Sequence, residues 1–289
     1  MPKYFPAPDT DNRLIVIAGT SSKVFSALMV KTLADVQTIF NDQCFPLYIY
    51  EAVEDEDEGL FKGQNTDTGY RKKDGITDAG LAHFRATYPA EKIGKEDVFY
   101  YVYGLLHSEE YREKYADNLS KQLPRIPCVK KAADFWTFSK AGRDLADLHV
   151  GYETVKPYDV QLDTGSRKLA TFGAGEYYVT KMKFIKKGEK STVLYNDYIT
   201  IRDIPVDAYD YVVNGKPALE WVMERQGVKN DKASGITNDA NLYATETVGD
   251  PAYPLKLFQR VITVSLETLK IVRSLPKLEI QEPKKEKAA

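Results

Sequence analysis

The chain has 289 residues, a length suited to one large domain or two small ones, and its 40 Lys and Arg against 42 Asp and Glu give a formal net charge of −2. That balance excludes a wholesale polycation of the histone type, while leaving room for a binder that uses a local basic patch. Hydrophobic residues make up 43% of the chain, enough for a sizeable core; no apolar run approaches the ~18–20 residues of a membrane span, and two cysteines fit a reducing cytosol better than a disulfide scaffold.

The opening Met1-Pro2-Lys3-Tyr4-Phe5-Pro6 lacks the apolar stretch of a secretory signal, and residues 1–12 read as a ragged start. Leu14-Ile15-Val16-Ile17 is a short continuous apolar run, the pattern of a buried strand, and Phe25–Val30 and Phe45–Tyr50 read as two more. Residues 51–75, with acids at Glu51 and Glu54–Glu58 and glycines at 59, 63, 69 and 75, read as a solvated, mobile loop. Thr77 is placed to cap a helix carrying Leu81 and Phe84 that stops before Pro89. Lys95 to His107 sets Val98, Val102, Leu105 and Leu106 on one helical face. Ser108-Glu109-Glu110 opens a further helix, with acids at the positive end of its dipole, and Pro124-Arg125-Ile126-Pro127 breaks it. Another helix is expected from Ala133 to His149. Residues 155–203 switch to period two, as in Tyr177–Ile185 and Ser191–Tyr195, joined by a hairpin turn with a basic tip at 186–190. Residues 204–275 read as helical again, with Pro217 near the start of a helix bearing Trp221, which is expected to pack in the core, and a long final helix over about 254–274. The Lys/Glu-rich tail 276–289 is expected to be disordered. Tyr is abundant, at 20 residues, and most of these rings are expected to cap a half-buried sheet.

Few of the usual catalytic signatures are present. Ala18-Gly19-Thr20-Ser21-Ser22-Lys23 lacks the second glycine and the spacing of a phosphate-binding loop, and Gly173-Ala174-Gly175 reads as a turn. His83, His107, His149, Cys44 and Cys128 are scattered, with no metal-ligand spacing. Asp250-Pro251-Ala252-Tyr253 resembles the Asp/Asn-Pro-Pro-Tyr loop with which amino-methyltransferases grip a flipped base, without its second proline. The simpler reading is the start of the final helix, with Asp250 as its cap.

Charge is unevenly spread. Between Lys121 and Lys190 fourteen basic residues face eight acidic ones, a local net of +6. Arg125, Lys130 and Lys131 sit beside Phe135 and Trp136, and Lys181 and Lys183 alternate toward the basic tip at Lys186 and Lys187. Such a surface suits a phosphate backbone, and equally suits a solvated sheet face.

Several blocks together resemble one family. Asp97–Ser108, Tyr111-Arg112, Leu123–Pro127, Phe135-Trp136 and Gly142–His149 form the first. Tyr211, Asn214-Gly215, Ala218–Val222, Lys229, Asp231-Lys232, Ser234-Gly235-Ile236 and Asn238-Asp239 form the second, and Pro254-Leu255 with Val261–Thr268 the third. In order over roughly residues 12–273, they are similar to the C-terminal part of Type ISP restriction-modification enzymes, single-chain bacterial proteins often described as predicted helicases. The resemblance implies an α+β fold, a mixed helical and antiparallel-sheet DNA target-recognition domain over 12–275. Its strand lead-in would be 12–50, its acidic, Gly-punctuated loop 51–75, its helical part 76–149, its β part 155–203 and its second helical part 204–275. It implies double-stranded DNA as partner, along with methyltransferase and helicase domains of the same parent chain, in the cytoplasm and away from membranes. The parent would be an adenine-specific DNA methyltransferase and ATP-dependent endonuclease using S-adenosylmethionine, ATP and Mg; the segment itself would hold no cofactor, no metal and no catalytic residue. Two other readings stay open: a degenerate S-adenosylmethionine-dependent methyltransferase built on Asp250–Tyr253, and a protein-interaction domain.

Base-reading positions vary with the target, so the resemblance supplies none. From their chemistry, Arg125, Lys130, Lys131, Lys181, Lys183, Lys186 and Lys187 are candidates for phosphate contact. Lys229, Asn230 and Asn238, expected in a loop after the Trp221 helix, are candidates for base readout, as Lys pairs with guanine and Asn with adenine. In that loop Ser234, Asn238 and Asp239 are equally suited to holding turns and a cap, with Gly235 supplying a left-handed backbone angle.

Overall fold

The structure, a computed structural model, describes residues 3–18, 24–34, 42–53 and 69–281. It combines helices with small antiparallel sheets, an α+β architecture, and divides into two compact units, Met1–Val150 with Ile271–Ala289 and Gly151–Lys270.

In the first unit β1 (Leu14–Ile17) is the middle strand of a three-stranded antiparallel sheet, between β2 (Ala27–Val30) and β3 (Gln43–Pro46). Every β1 residue is buried because both faces are covered: Ile15 and Ile17 join the main core, while Leu14 and Val16 meet a smaller cluster with Tyr4 and Phe5. Covering that second face takes the N-terminal segment, so residues 3–12 are not ragged. The buried Asn12 side chain donates to the carbonyls of Tyr4 (3.0 Å) and Tyr48 (2.8 Å) and accepts from the Tyr48 amide (3.1 Å). β4 (Tyr48–Ala52) pairs with β5 (Tyr70–Asp74), so the two ends of the expected 51–75 loop form a hairpin; the calls on residues 54–68 and on 19–23 fall outside the described residues.

The helices follow their sequence signals closely. α1 (Asp78–Thr87) is capped by Thr77, whose hydroxyl accepts from the Gly80 amide at 3.1 Å. α2 (Lys95–His107) begins where Asp97 accepts from the Gly94 amide at 2.8 Å. The helix after Ser108 is interrupted at Tyr115 into α3 (Glu109–Lys114) and α4 (Ala116–Leu119). α5 (Ala132–Val150) packs on α2 at backbone contact. A Cβ on Gly104 would lie 2.2 Å from the Phe138 carbonyl oxygen, and one on Gly142 1.8 Å from that of Tyr100. Residues 276–281 of the expected disordered tail are held in place: the Lys130 amide donates to the Glu279 carbonyl (2.7 Å) and the Gln281 amide to that of Cys128 (2.9 Å). Residues 282–289 fall outside the described residues.

The tyrosines expected to cap a sheet instead fill this helical core. Tyr101, Tyr103 and Tyr111 are fully buried, with Tyr101 stacked on Phe135 at 4.9 Å. A buried hydroxyl needs a partner, and the loop before α5 supplies it. Tyr111 donates to the Arg125 carbonyl (2.8 Å), Tyr101 to that of Pro127 (2.6 Å) and Tyr88 to that of Val129 (2.5 Å).

The second unit holds a four-stranded antiparallel sheet of order β6-β9-β8-β7, from β6 (Gln161–Asp163), β7 (Lys183–Phe184), β8 (Val193–Leu194) and β9 (Thr200–Arg202). The strand expected over 177–185 is mostly absent. Ala174–Tyr177 is a helical turn, α6, and only two residues of β7 ladder with β8. Residues 204–275 are not uniformly helical either. β10 (Val212–Val213) and β11 (Lys216–Pro217) pair ahead of α7 (Ala218–Arg225), and β12 (Val228–Asn230) pairs with β13 (Thr237–Asp239). A short α8 (Ala240–Leu242) and a π-helical turn follow, before α9 (Tyr253–Arg273) lays Phe258, Ile262 and Leu269 into buried positions. Leu219 and Met223 of α7 are the core residues; Trp221 is half-buried, its indole donating to the Val213 carbonyl (2.8 Å) under the Lys216 ammonium, so the expected core role falls to its neighbours. Among the described residues no helix is long and apolar enough to cross a membrane.

Candidate nucleic-acid interface

The base-readout candidates lie on strands, not in a loop. β12 and β13 form a hairpin with Lys229 opposite Asn238 and Asn230 opposite Thr237. Directly paired residues share a face of the ribbon and neighbours alternate, so Lys229 and Asn238 present one face and Asn230 and Thr237 the other. Every residue from Lys229 to Asn238 is exposed. Asn230 spends its side-chain oxygen on the Thr237 hydroxyl (2.8 Å), which leaves its NH₂ outward. The tip is closed by Asp231, whose carboxylate accepts from the Ala233 and Ser234 amides (both 2.9 Å), and by Gly235 at φ +72°. The Ser234 and Ala233 amides hold the Asp231 carboxyl below the usual carboxylate range.

The hairpin is rigidly founded. A Cβ at Gly227 would lie 2.6 Å from the Thr180 carbonyl oxygen, which in turn accepts from the Val228 amide at 2.9 Å. The buried Asn241 side chain imitates a strand, accepting from the Val179 amide and donating to the Val179 carbonyl, both at 2.9 Å. Although desolvation raises it, the Asp239 carboxyl is held below its ordinary value by hydrogen bonds from Asn241 and Tyr178. These bonds commit both backbone groups of Val179 and the Thr180 carbonyl to the foot of the hairpin, and so away from a ladder.

The same bonds bring two groups of candidates together. Lys181 and Lys183 are exposed on either side of buried Met182, and Lys186 and Lys187 are exposed at the turn that Gly188 closes at φ +88°. Lys181, Lys216 and Lys229 line one open cleft of about 430 Å³ with Glu220 and Glu224. Those acids are already engaged, Glu224 by Lys216 and Glu220 by Lys190 at 3.0 Å. Among the described residues, none of Lys181, Lys183, Lys186, Lys187 and Lys229 has a carboxylate within ion-pair distance.

The first unit places Arg125, Lys130 and Lys131 together on the loop held by the three tyrosines. All three are exposed, and Lys131 lies 3.9 Å from the Glu279 carboxylate.

A model of the Type ISP C-terminal specificity domain matches residues 1–257. The chain belongs to this family. Of the solved structures it resembles, one is the ATP-dependent Type ISP restriction-modification enzyme LlaBIII bound to DNA, at 37% identity and a TM-score of 0.79, over 97% of this chain and 17% of that one. A nuclease-deletion mutant of the Type ISP enzyme LlaGI with a DNA substrate mimic matches at 37% identity and 0.75, over 97% and 22%. A cryoEM DrdV–DNA complex matches at 30% identity and 0.75, over 97% and 26%. The chain thus spans about a sixth to a quarter of the length of these proteins. No curated protein sequence matches it.

Two motifs of the specificity domain resolve into structure. Asp250 accepts from the Ala252 amide (3.1 Å) and the Lys256 ammonium (2.6 Å), and Tyr253 is buried with its hydroxyl on Glu153. Carboxylate and ring are therefore both occupied in starting α9, and neither is presented to a base. His107 and His149, scattered in sequence, are buried neighbours with ring centroids 5.5 Å apart. The Tyr103 hydroxyl and His149 Nδ1 are 2.6 Å apart. Burial, reinforced by the Arg112 charge, pushes the His149 pKa down to about 3 and that of His107 well below its ordinary value. Among the described residues no group of His, Cys, Asp and Glu is arranged to hold a metal.

Proposed function

We propose that this chain recognises a DNA target for a restriction-modification enzyme, with double-stranded DNA as its ligand. The observation that carries this reading is the lysine edge 181–187, without a carboxylate in ion-pair distance among the described residues, joined by hydrogen bonds of Val179 and Thr180 to an exposed polar hairpin. Lysines without carboxylate partners hold a counter-charge open for phosphates, and a rigid hairpin beside them supplies groups that can reach base edges. Lys181, Lys183, Lys186 and Lys187 contact phosphates in this reading, as do Arg125, Lys130 and Lys131 of the other unit. Membership of the specificity-domain family, and likeness to enzymes solved with DNA, support it. The methyltransferase and helicase domains expected of the parent, its use of S-adenosylmethionine, ATP and Mg, and its place in the cytoplasm belong to the same proposal.

The test is binding of the chain to random-sequence duplex over a range of salt. The logarithm of affinity should fall linearly with the logarithm of salt, with a slope of about 0.9 per phosphate contacted. Lys186→Ala with Lys187→Ala should flatten that slope by up to about 1.8. Lys130→Ala with Lys131→Ala should flatten it less, because Lys131 already faces Glu279. Absence of binding at low ionic strength, or slopes unmoved by both pairs, would overturn the proposal.

A further inference from the structure

We infer that the 228–239 hairpin is the base-reading element, entering the major groove of the DNA as a two-stranded ribbon with Ile236 on the last rung before its tip, where the Asp231 amide donates to the Ile236 carbonyl (2.8 Å). This inference rests on the DNA-recognition reading and adds to it the groove, the element and a specificity residue. The dimensions agree. Paired strands lie about 4.7–4.9 Å apart, so a ribbon with its side chains suits a major groove about 12 Å wide and not a minor groove of about 6 Å. From Val228 to Asp231 the ribbon extends about 10 Å at about 3.3 Å per residue, enough to span the groove depth of about 8.5 Å.

The chemistry agrees as well. Lys229 donates to guanine acceptors, the NH₂ of Asn230 and the amide of Asn238 suit adenine, and these groups occupy both faces of the ribbon. Lys232 at the tip has no carboxylate within ion-pair distance among the described residues. The tip's own acid, Asp231, is turned onto the Ala233 and Ser234 amides, so it shapes the turn. Ile236 is 59% exposed on the rung opposite Asp231, just behind that tip. An apolar side chain held in water on a rigid, otherwise polar projection gains by covering an apolar group, and the apolar group of the major groove is the thymine methyl. The foot is stiff, since Gly227 touches the Thr180 backbone and Asn241 bonds both backbone groups of Val179. A stiff foot limits the ordering cost of docking, and Lys181 to Lys187, running from that foot, would flank the groove.

The test is selection of bound sequences from a randomised duplex library by the full chain, beside Lys229→Ala with Asn238→Ala, Ile236→Ser, and Lys186→Ala with Lys187→Ala. All substituted side chains are exposed, and unchanged circular dichroism verifies the fold of each variant. The hairpin double variant should lose about ten-fold or more of its preference at one or two positions of the selected site, while its affinity for random duplex changes by less than about three-fold. The 186/187 variant should bind all sequences more weakly and keep the preference. Replacing thymine by uracil at one position should weaken the native chain several-fold and leave Ile236→Ser indifferent. A native chain that selects a site which the double variant selects equally well would overturn the hairpin while leaving DNA recognition intact, as would a native chain that binds without preference. No thymine whose methyl matters would remove Ile236 from the reader. No DNA binding at all would instead defeat the reading on which the inference rests.

Discussion

The two units solve the problem of holding a basic surface in opposite ways. In the first, long helices meet backbone to backbone at Gly104 and Gly142, and buried tyrosine hydroxyls pin a loop from behind. In the second, regular structure is sparse, and stiffness comes from individual polar bonds, Asn241 to Val179 and Val228 to Thr180. Helical packing spreads its stability over many contacts, so the exposed loop can change residues cheaply. A foot made of a few specific bonds concentrates stability where the hairpin begins and leaves its exposed residues, 229–238, open to substitution.

The largest expected difference between the units is in their response to a single methyl group. Gly142→Ala drives a Cβ to 1.8 Å from the Tyr100 carbonyl oxygen, with backbone on both sides and nothing able to turn away. It should cost about 3 kcal/mol or more, the upper range for overpacking, a large share of a stability of about 5–15 kcal/mol. Gly227→Ala meets the Thr180 carbonyl at 2.6 Å, a shallower overlap than the 1.8 Å at Gly142. It should cost about 1–2 kcal/mol, read as faster amide exchange at Val228 and Ala240 with a small change in the thermal midpoint. Equal midpoint losses for the two variants would erase the contrast.

The next effect separates the units by pH. His107 and His149 are buried and held neutral in the first unit. Unfolded, each takes up a proton below about pH 6.5; folded, neither does until far lower. The unfolded state therefore binds more protons as pH falls, and stability that is whole above pH 6.5 declines toward pH 3 by up to ~1.4 kcal/mol per pH unit for each histidine. Urea unfolding between pH 7 and 4.5 should show this loss, and His149→Gln, which keeps a polar partner for Tyr103, should flatten it. A dependence unchanged in that variant would place the proton uptake elsewhere.

How much of this was legible follows the same division. α2, from Lys95 to His107, was readable to the residue because its apolar face is a local signal. The lysines at 181–187 stood out in the sequence by charge, and the structure places them exposed. The hairpin was not, because a ribbon exposed on both faces has no apolar alternation to betray it, and Lys229-Asn230 looks like any polar loop. A cue did exist in the Asp231–Gly235 turn flanked by Val228 and Ile236. The period-two run at 178–182 gave the wrong ladder, since its partner is the hairpin foot some fifty residues later. The histidine pair was invisible for the same reason, being joined only when α2 meets α5.

The smallest expected effect compares the same chemical change in each unit. Tyr101→Phe removes the hydroxyl that holds the Pro127 carbonyl at 2.6 Å, and Tyr195→Phe the one that holds the Tyr177 carbonyl at 2.7 Å. Each ring is fully buried, so packing is kept and only the hydrogen bond is lost, at about 1–2 kcal/mol with the carbonyl left dry. In the first unit Tyr88 and Tyr111 still pin the loop on either side, so stability should fall while DNA affinity stays within about two-fold. In the second unit the Asn196 side chain also reaches the Tyr178 carbonyl, at 2.9 Å, but no row of tyrosines backs the segment leading to Lys181. There the loss should appear in affinity at every salt concentration, with the slope unchanged, because no cation has been removed. Paired measurements of unfolding and of DNA affinity on the two variants check this, and an affinity loss confined to Tyr101→Phe would reverse the assignment of which unit depends on single bonds.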